Sequence, residues 1–162
     1  ATRYQNKEIN IFEPFENIHE HQILKKTIIP ANLSQKIIDQ AKLYTTKILE
    51  KHNYIGTIAV EYFISENENL LGNETASRVH NSGHITIDAS NSSQFDQHIR
   101  AVCNLKIVKL KKMKKGHMLN ILGNDILKYR NQKFSSNKFF KDYEKKDIRE
   151  KRKMGHINFI EN

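Results

Sequence analysis

Two strand-like runs wrapped around a polar turn restrict this chain more than any other feature. Residues 56–65 read GTIAVEYFIS, residues 70–78 read LLGNETASR, and ENEN lies between them. Runs of this composition on either side of a turn-forming tetrad predict an antiparallel hairpin. With the turn centred between Asn67 and Glu68, facing positions sum to 135, which sets Glu61 opposite Glu74, Ala59 opposite Ala76 and Phe63 opposite Gly72. Facing Cβ atoms in such a pair lie about 4.5–5.5 Å apart. Two carboxylates about 5 Å apart repel by about 3 kcal/mol at an effective dielectric of about 20. Either the two glutamates splay into solvent, or a shared proton or a divalent cation removes the repulsion. Hard oxygen ligands suit Mg²⁺, held by one or two carboxylates together with phosphate oxygens.

The segment that follows, NETASRVHNSGHITIDA (73–89), crowds polar side chains around Gly83. Arg78 has the strand parity of Glu74 and so belongs to the glutamate face. Gly83 permits a sharp bend, on which His80, Asn81, Ser82 and His84 converge on one pocket. An arginine fork can grip a carbonate-like anion at two points, and neutral His and Asn add directional hydrogen bonds. The competing reading is a polar loop whose side chains satisfy their own backbone. His80 and His84 are four apart, but Gly83 and the flanking strands argue against the helix that a zinc pair at this spacing needs.

Elsewhere, residues 2–5 and 8–13 read as two short strands. Residues 15–31 read as irregular and then extended, closing at Pro30. Ser34 is placed to cap a helix over 34–52, where Ile37, Ile38, Ala41, Tyr44, Thr45 and Ile48 recur at helical spacing. A second amphipathic helix spans 93–104, with Ser93 as its cap. HMLNILG is a short strand, and FFKDY and MGHINFI can pair as strands. The lysine-rich connector KIVKLKKMKKGH divides a larger α+β lobe from a small β-rich tail. No internal repeat is present.

Charge is divided unevenly along the 162 residues. Residues 1–100 carry 10 Lys/Arg against 12 Asp/Glu, whereas residues 101–162 carry 17 against 6. A basic end points to an anionic partner, either nucleic acid or a phosphorylated small molecule, or else to a solvated lysine surface. The single Cys103 excludes an internal disulfide framework and a thiolate zinc cluster. No apolar run approaches the ~20 residues of a membrane span. A cytoplasmic location is expected, and the opening residues read like a strand entered midway, so an earlier start is expected.

The motifs, taken together, resemble a family. NE-x-A-x-R-x-HNSGH-x-T followed by SQFDQHIRAVCNL is similar to the C-terminal half of 5-(carboxyamino)imidazole ribonucleotide synthases, ATP-grasp enzymes of purine synthesis. ENIHEHQILKKTIIPA, YIGTIAVEYF, HMLNILG and YEKKDIREKRKMGHINF resemble further family stretches in the same order. The resemblance implies an α+β fold: the C-terminal lobe of an ATP-grasp domain, an antiparallel sheet with helices, over 1–105, and a small basic β-rich domain over 106–162. It implies Mg²⁺ on Glu61 and Glu74, and ATP contacts from His19, Asn73 and Glu74. Bicarbonate would be bound by Arg78, His80 and Asn81, and the ribose 5-phosphate of aminoimidazole ribonucleotide by Lys145 and Arg152. A homodimer is expected, with no membrane partner and no nucleic acid.

Departures from the family pattern are specific. Ser77 replaces a usual proline, and Lys151 stands where a glycine usually precedes the Arg-Lys-Met-Gly-His run. The family's last helix-containing stretch has no counterpart after Asn162, and its amino-terminal half, with the glycine-rich phosphate loop, has none before Ala1. Residues 1–162 alone are therefore expected to hold ATP poorly and to show little or no activity. The rival readings are a formate-using purine transformylase, which shares the two-glutamate hairpin, a basic nucleic-acid-binding module, and an inactive remnant.

Overall fold

A computed structural model describes residues 1–161. The elements in chain order are β1 (Thr2–Arg3), β2 (Ile9–Asn10), β3 (Glu16–Glu20), β4 (Ile23–Ile29), α1 (Gln35–Lys51), β5 (Gly56–Thr57), β6 (Ala59–Ile64) and β7 (Leu70–Ala76). A 3₁₀ turn (Asn81–Ile85) then leads into α2 (Thr86–Ala89) and α3 (Gln94–Val102). β8 (Gly116–Leu122), α4 (Asp125–Arg130), β9 (Lys138–Asp142) and β10 (Lys153–Ile160) complete the fold. This is the α+β class that the sequence implies.

Three antiparallel sheets are present among the described residues: β2-β1-β5, β3-β4-β8-β10-β9 and the hairpin β6-β7. The five-stranded sheet is the frame. β4 pairs with β8 from Lys26 opposite Leu119 to Ile29 opposite Gly116. Strands drawn from before and after residue 105 therefore share one hydrogen-bonded sheet.

Each face of that sheet carries its own core. Leu24, Ile29, Met118 and Ile160 pack with Ile85 and Ala89, seating the Asn81–Ala89 segment on one face. Ile121, Met154 and Ile157 pack with Ile126 of α4 on the other. The alternation of strand side chains produces most of this division, with Met118, Asn158 and Ile160 facing the loop and Ile121 and Ile157 facing α4, while an irregularity in register between Lys153 and Gly155 accompanies the placing of even-numbered Met154 on the α4 side. Gly116 allows close strand approach, because a Cβ there would run into the carbonyl of Phe159.

The long helix α1 and the helix α3 form where their periodicity predicts. Ser93 caps α3 by accepting the Asp96 amide, but Ser34 makes no side-chain cap bond. The region 15–31, read as partly irregular, is in fact the hairpin β3–β4. Its turn residues His21 and Gln22 have φ of 49° and 64°, so both adopt the left-handed conformation without the Asn-Gly signal that normally announces such a turn. The reading also missed α4 and the helical turn that Gly83 enters in place of a simple bend.

Candidate functional site

In the β6–β7 hairpin Ala59 faces Ala76, Val60 faces Thr75 and Glu61 faces Glu74, as the turn arithmetic requires. After Glu61 the register slips by one, so Tyr62 faces Gly72 and Phe63 faces Leu71 rather than Gly72. Asn73 is the extra residue, a β-bulge at the acidic pair. Bulges re-aim side chains, and here the Asn73 Nδ2 reaches Glu61 Oε2 at 3.5 Å. One irregularity thus gathers Glu61, Asn73 and Glu74.

The next segment brings His80 to the same place. Its backbone is extended, at φ −127° and ψ 153°, and it caps the 3₁₀ turn, with Nδ1 accepting from the Ser82 amide and lying 2.8 Å from Ser82 Oγ. The ring proton therefore rests on Nε2. Burial pushes the His80 pKa down, partly opposed by Glu61, so the ring is neutral near pH 7. Glu61 Oε1 lies 3.7 Å from His80 Nδ1, too far for a hydrogen bond. That oxygen is buried with no hydrogen-bond partner. The Asn81 Nδ2 amide is likewise buried and unpaired.

α3 holds His80 in this pose. The buried Gln94 side chain accepts the His80 N–H at 2.9 Å and donates to the His80 carbonyl at 2.7 Å. Thr86 completes the brace, receiving the Gln94 amide at 3.0 Å and donating to the Gly83 carbonyl at 2.6 Å. Gln94 and Thr86 stand within SQFDQH and GHIT, where sequence inspection noticed only a helix and a loop.

A cavity of ≈ 370 Å³ opens beside the hairpin and is lined by His19, Glu61, Asn73, His80 and Ser82. Phe12, Phe15, Ile37 and Val60 supply apolar wall. Glu74, Arg78, Asn81, Lys145 and Arg152 do not line it. Glu74 and Arg78 nonetheless act on the charge of His80. Arg78 is exposed, and its Nη1 donates to the Val79 carbonyl at 3.0 Å. His84 was grouped with His80 on sequence grounds but turns the other way, toward Tyr143 and His156.

Of the two cations read as phosphate ligands, Lys145 donates from Nζ to the Lys153 carbonyl at 2.6 Å and lies over the Tyr143 ring at 5.3 Å. Arg152 is tied to its own loop, donating to the Asp147 carbonyl at 2.8 Å with the Asp147 carboxylate 3.6 Å away. A third cation escaped the sequence reading. Lys153 is half-buried, and burial pushes its pKa down. Glu61 counteracts this shift, while Lys145 and Arg78 add to it. Lys153 thus lies within electrostatic reach of Glu61 and Arg78 on one side and of Lys145 in the tail on the other. Its neighbour Arg152 drew attention because it matched a motif, although only Lys153 begins β10.

The donor set suits a hard divalent cation. Among the described residues no cluster of three or more His, Cys, Asp or Glu could hold an ion alone. Two facing carboxylates, one with an orphaned buried oxygen, suit a cation that takes its remaining ligands from substrate phosphates and water, as Mg²⁺ does.

The chain is similar to known proteins along nearly its whole length. The ATP-grasp domain model matches residues 1–95, and the phosphoribosylaminoimidazole carboxylase C-terminal domain model matches residues 116–162. The N5-carboxyaminoimidazole ribonucleotide synthase of Bacillus subtilis is 41% identical over 161 residues, covering 99% of this chain and 42% of that protein. The Staphylococcus aureus N5-carboxyaminoimidazole synthetase, solved with ADP, superposes with a TM-score of 0.91 at 39% identity, covering 99% of this chain and 44% of that one. The Aspergillus clavatus enzyme, solved with ADP and 5-aminoimidazole ribonucleotide, gives 0.91 at 31% identity over 99% and 45% of the two chains. The chain thus spans less than half the length of the relatives it matches.

Proposed function

The chain belongs to the ATP-grasp family, and from that premise we propose that it forms the carboxyl-terminal part of a 5-(carboxyamino)imidazole ribonucleotide synthase, which joins bicarbonate to 5-aminoimidazole ribonucleotide at the expense of ATP. The observation that carries the reading is the buried, unpartnered oxygen of Glu61, facing Glu74 beside the neutral His80.

Glu61 and Glu74 would hold Mg²⁺, which when bound supplies positive charge to the phosphate oxygens during transfer. Asn73 and His19 approach the same phosphates from the cavity wall. The γ-phosphoryl group of ATP passes to a bicarbonate oxygen with ADP as the leaving group, giving carboxyphosphate, which releases phosphate and CO₂. The exocyclic amine of the ribonucleotide attacks the CO₂ carbon and loses a proton. His80 presents Nε2–H to a carbonate oxygen, and the unpaired Asn81 amide offers a second donor. Arg78 can exchange its single bond to the Val79 carbonyl for a two-point grip on the anion. These fixed donors orient the labile intermediate and exclude water from it. Lys145, Arg152 and Lys153 neutralise the ribose 5-phosphate. We place the enzyme in the cytoplasm as a homodimer.

The test is a chimera in which this chain replaces the matching 42% of the Bacillus subtilis relative. ADP release that requires both bicarbonate and 5-aminoimidazole ribonucleotide is expected. Equal turnover with formate in place of bicarbonate would instead support a transformylase and overturn the reading. Residues 1–162 assayed alone should release little or no ADP.

A further inference from the structure

The turn running from His80 to Ile85, the anion loop, and the segment from Tyr143 to Arg152, the phosphate loop of the tail, are far apart in sequence, yet one hydroxyl joins them. Tyr143 Oη lies 3.0 Å from Nδ1 of His84 and 2.9 Å from Nδ1 of His156. We infer that Tyr143 is a positioning residue that locks the anion loop to the phosphate loop, through a hydrogen-bond chain in which His84 and His156 hold opposite tautomers.

A phenol has one hydrogen and can donate it to one imidazole only. The second contact is a hydrogen bond only if that imidazole carries its proton on Nδ1 and donates to the phenol oxygen. One ring must therefore be the Nδ1–H form and the other the Nε2–H form. Both rings are neutral, because burial pushes each pKa down to about 4, and burial pushes Tyr143 up to about 12, so the single hydroxyl hydrogen stays in place.

The His84 ring stacks on Phe95 with centroids 5.5 Å apart and lies 5.1 Å from the His156 ring. Asn158 Nδ2 donates to the His84 carbonyl at 3.3 Å and to Asp88 at 2.6 Å. Among charged and titratable groups, the His84 ring feels His80 and Lys153, and the His156 ring feels His84 and Lys141. On the tail side the Tyr143 amide donates to the Met154 carbonyl at 2.9 Å, and the Tyr143 ring lies beneath Lys145. Shifting Tyr143 would therefore move Lys145 on one side and, through His84, the turn that begins at His80 on the other. Nothing in the chain touches the hairpin carboxylates, so its part is geometric. The catalytic consequence rests on the proposed function; the tautomer assignment does not.

Two measurements decide the matter. In nitrogen-15 NMR of the 162-residue chain at pH 7, His84 and His156 should show opposite tautomers, and Tyr143→Phe should abolish that opposition. Identical tautomers in the parent chain, or a protonated ring at pH 7, overturn the inference. In the chimera, Tyr143→Phe should raise KM for bicarbonate and for the ribonucleotide together, each about tenfold, leaving KM for ATP unchanged and kcat within about threefold. A rise for one substrate alone, or a fall confined to kcat, also overturns it. If the parent chimera shows no bicarbonate-dependent turnover, the functional reading fails, and the NMR arm still decides whether the chain exists.

Discussion

Gly83→Ala tests the brace that holds His80. A Cβ at this position would come within 2.7 Å of the Gln94 amide carbon and nearer still to its oxygen. Gly83 is buried, and Gln94 is only 4% exposed, so the amide has no free direction in which to retreat. Displacing it breaks the bonds of 2.9 and 2.7 Å to the His80 backbone. Each is worth about 1 kcal/mol net, and a buried group left unpaired costs about 1–3 kcal/mol. The expected loss is about 2–4 kcal/mol, read as a lower urea midpoint with an unchanged slope. Gln94→Ala should lose a similar amount by removing the same two bonds. The decisive quantity is the double variant. Once the side chain is gone there is nothing for the new methyl to strike, so Gly83→Ala in the Gln94→Ala background should cost less than about 0.5 kcal/mol. Strictly additive losses would refute the argument and place the cost in backbone strain at residue 83 instead.

Lys151 holds φ at 62°, a left-handed conformation that strains any side chain bearing a Cβ. Lys151→Gly should therefore raise stability by about 0.5–1 kcal/mol despite the added freedom of the unfolded chain, and a loss in urea unfolding would refute this. Glu61→Gln removes one of two facing charges, so the metal-free chain should gain about 0.5–1 kcal/mol. Mn²⁺, a paramagnetic substitute for Mg²⁺, should broaden the amide signals of Glu61, Asn73 and Glu74 in the parent chain but not in this variant. Stability should also depend on pH through His84 and His156. Their folded pKa values of about 4 lie below the unfolded value of 6.5, so the unfolded chain binds more protons between those pH values. Stability is complete above pH 6.5 and falls as the pH drops toward 4, by up to about 1.4 kcal/mol per pH unit for each ring. Urea midpoints across this range, compared with those of His156→Asn, check the sign and the share of one ring.

The readable part of this molecule was written in short-range pattern. Alternation around ENEN was enough to place Glu61 against Glu74, and helical spacing was enough to locate α1 and α3. What escaped depended on contacts between distant residues. The bulge at Asn73 shifted the far half of the hairpin by one residue, because nothing in LLGNE marks which position is left unpaired. The β3–β4 turn is made by His21 and Gln22, whose side chains do not advertise a left-handed backbone. His84 stands four residues from His80, yet core packing of Ile85 and Ala89 against the sheet turns the two rings apart. Gln94 and Lys153 lay next to residues that drew attention, and only folding shows which neighbour faces the site.

The pairing of β4 with β8 separates the order of the polypeptide from the way it bears load. The lysine connector carries little tension, since the strands on either side of it are already laced together. A protease that cuts the connector would leave two interlocked pieces rather than two free ones.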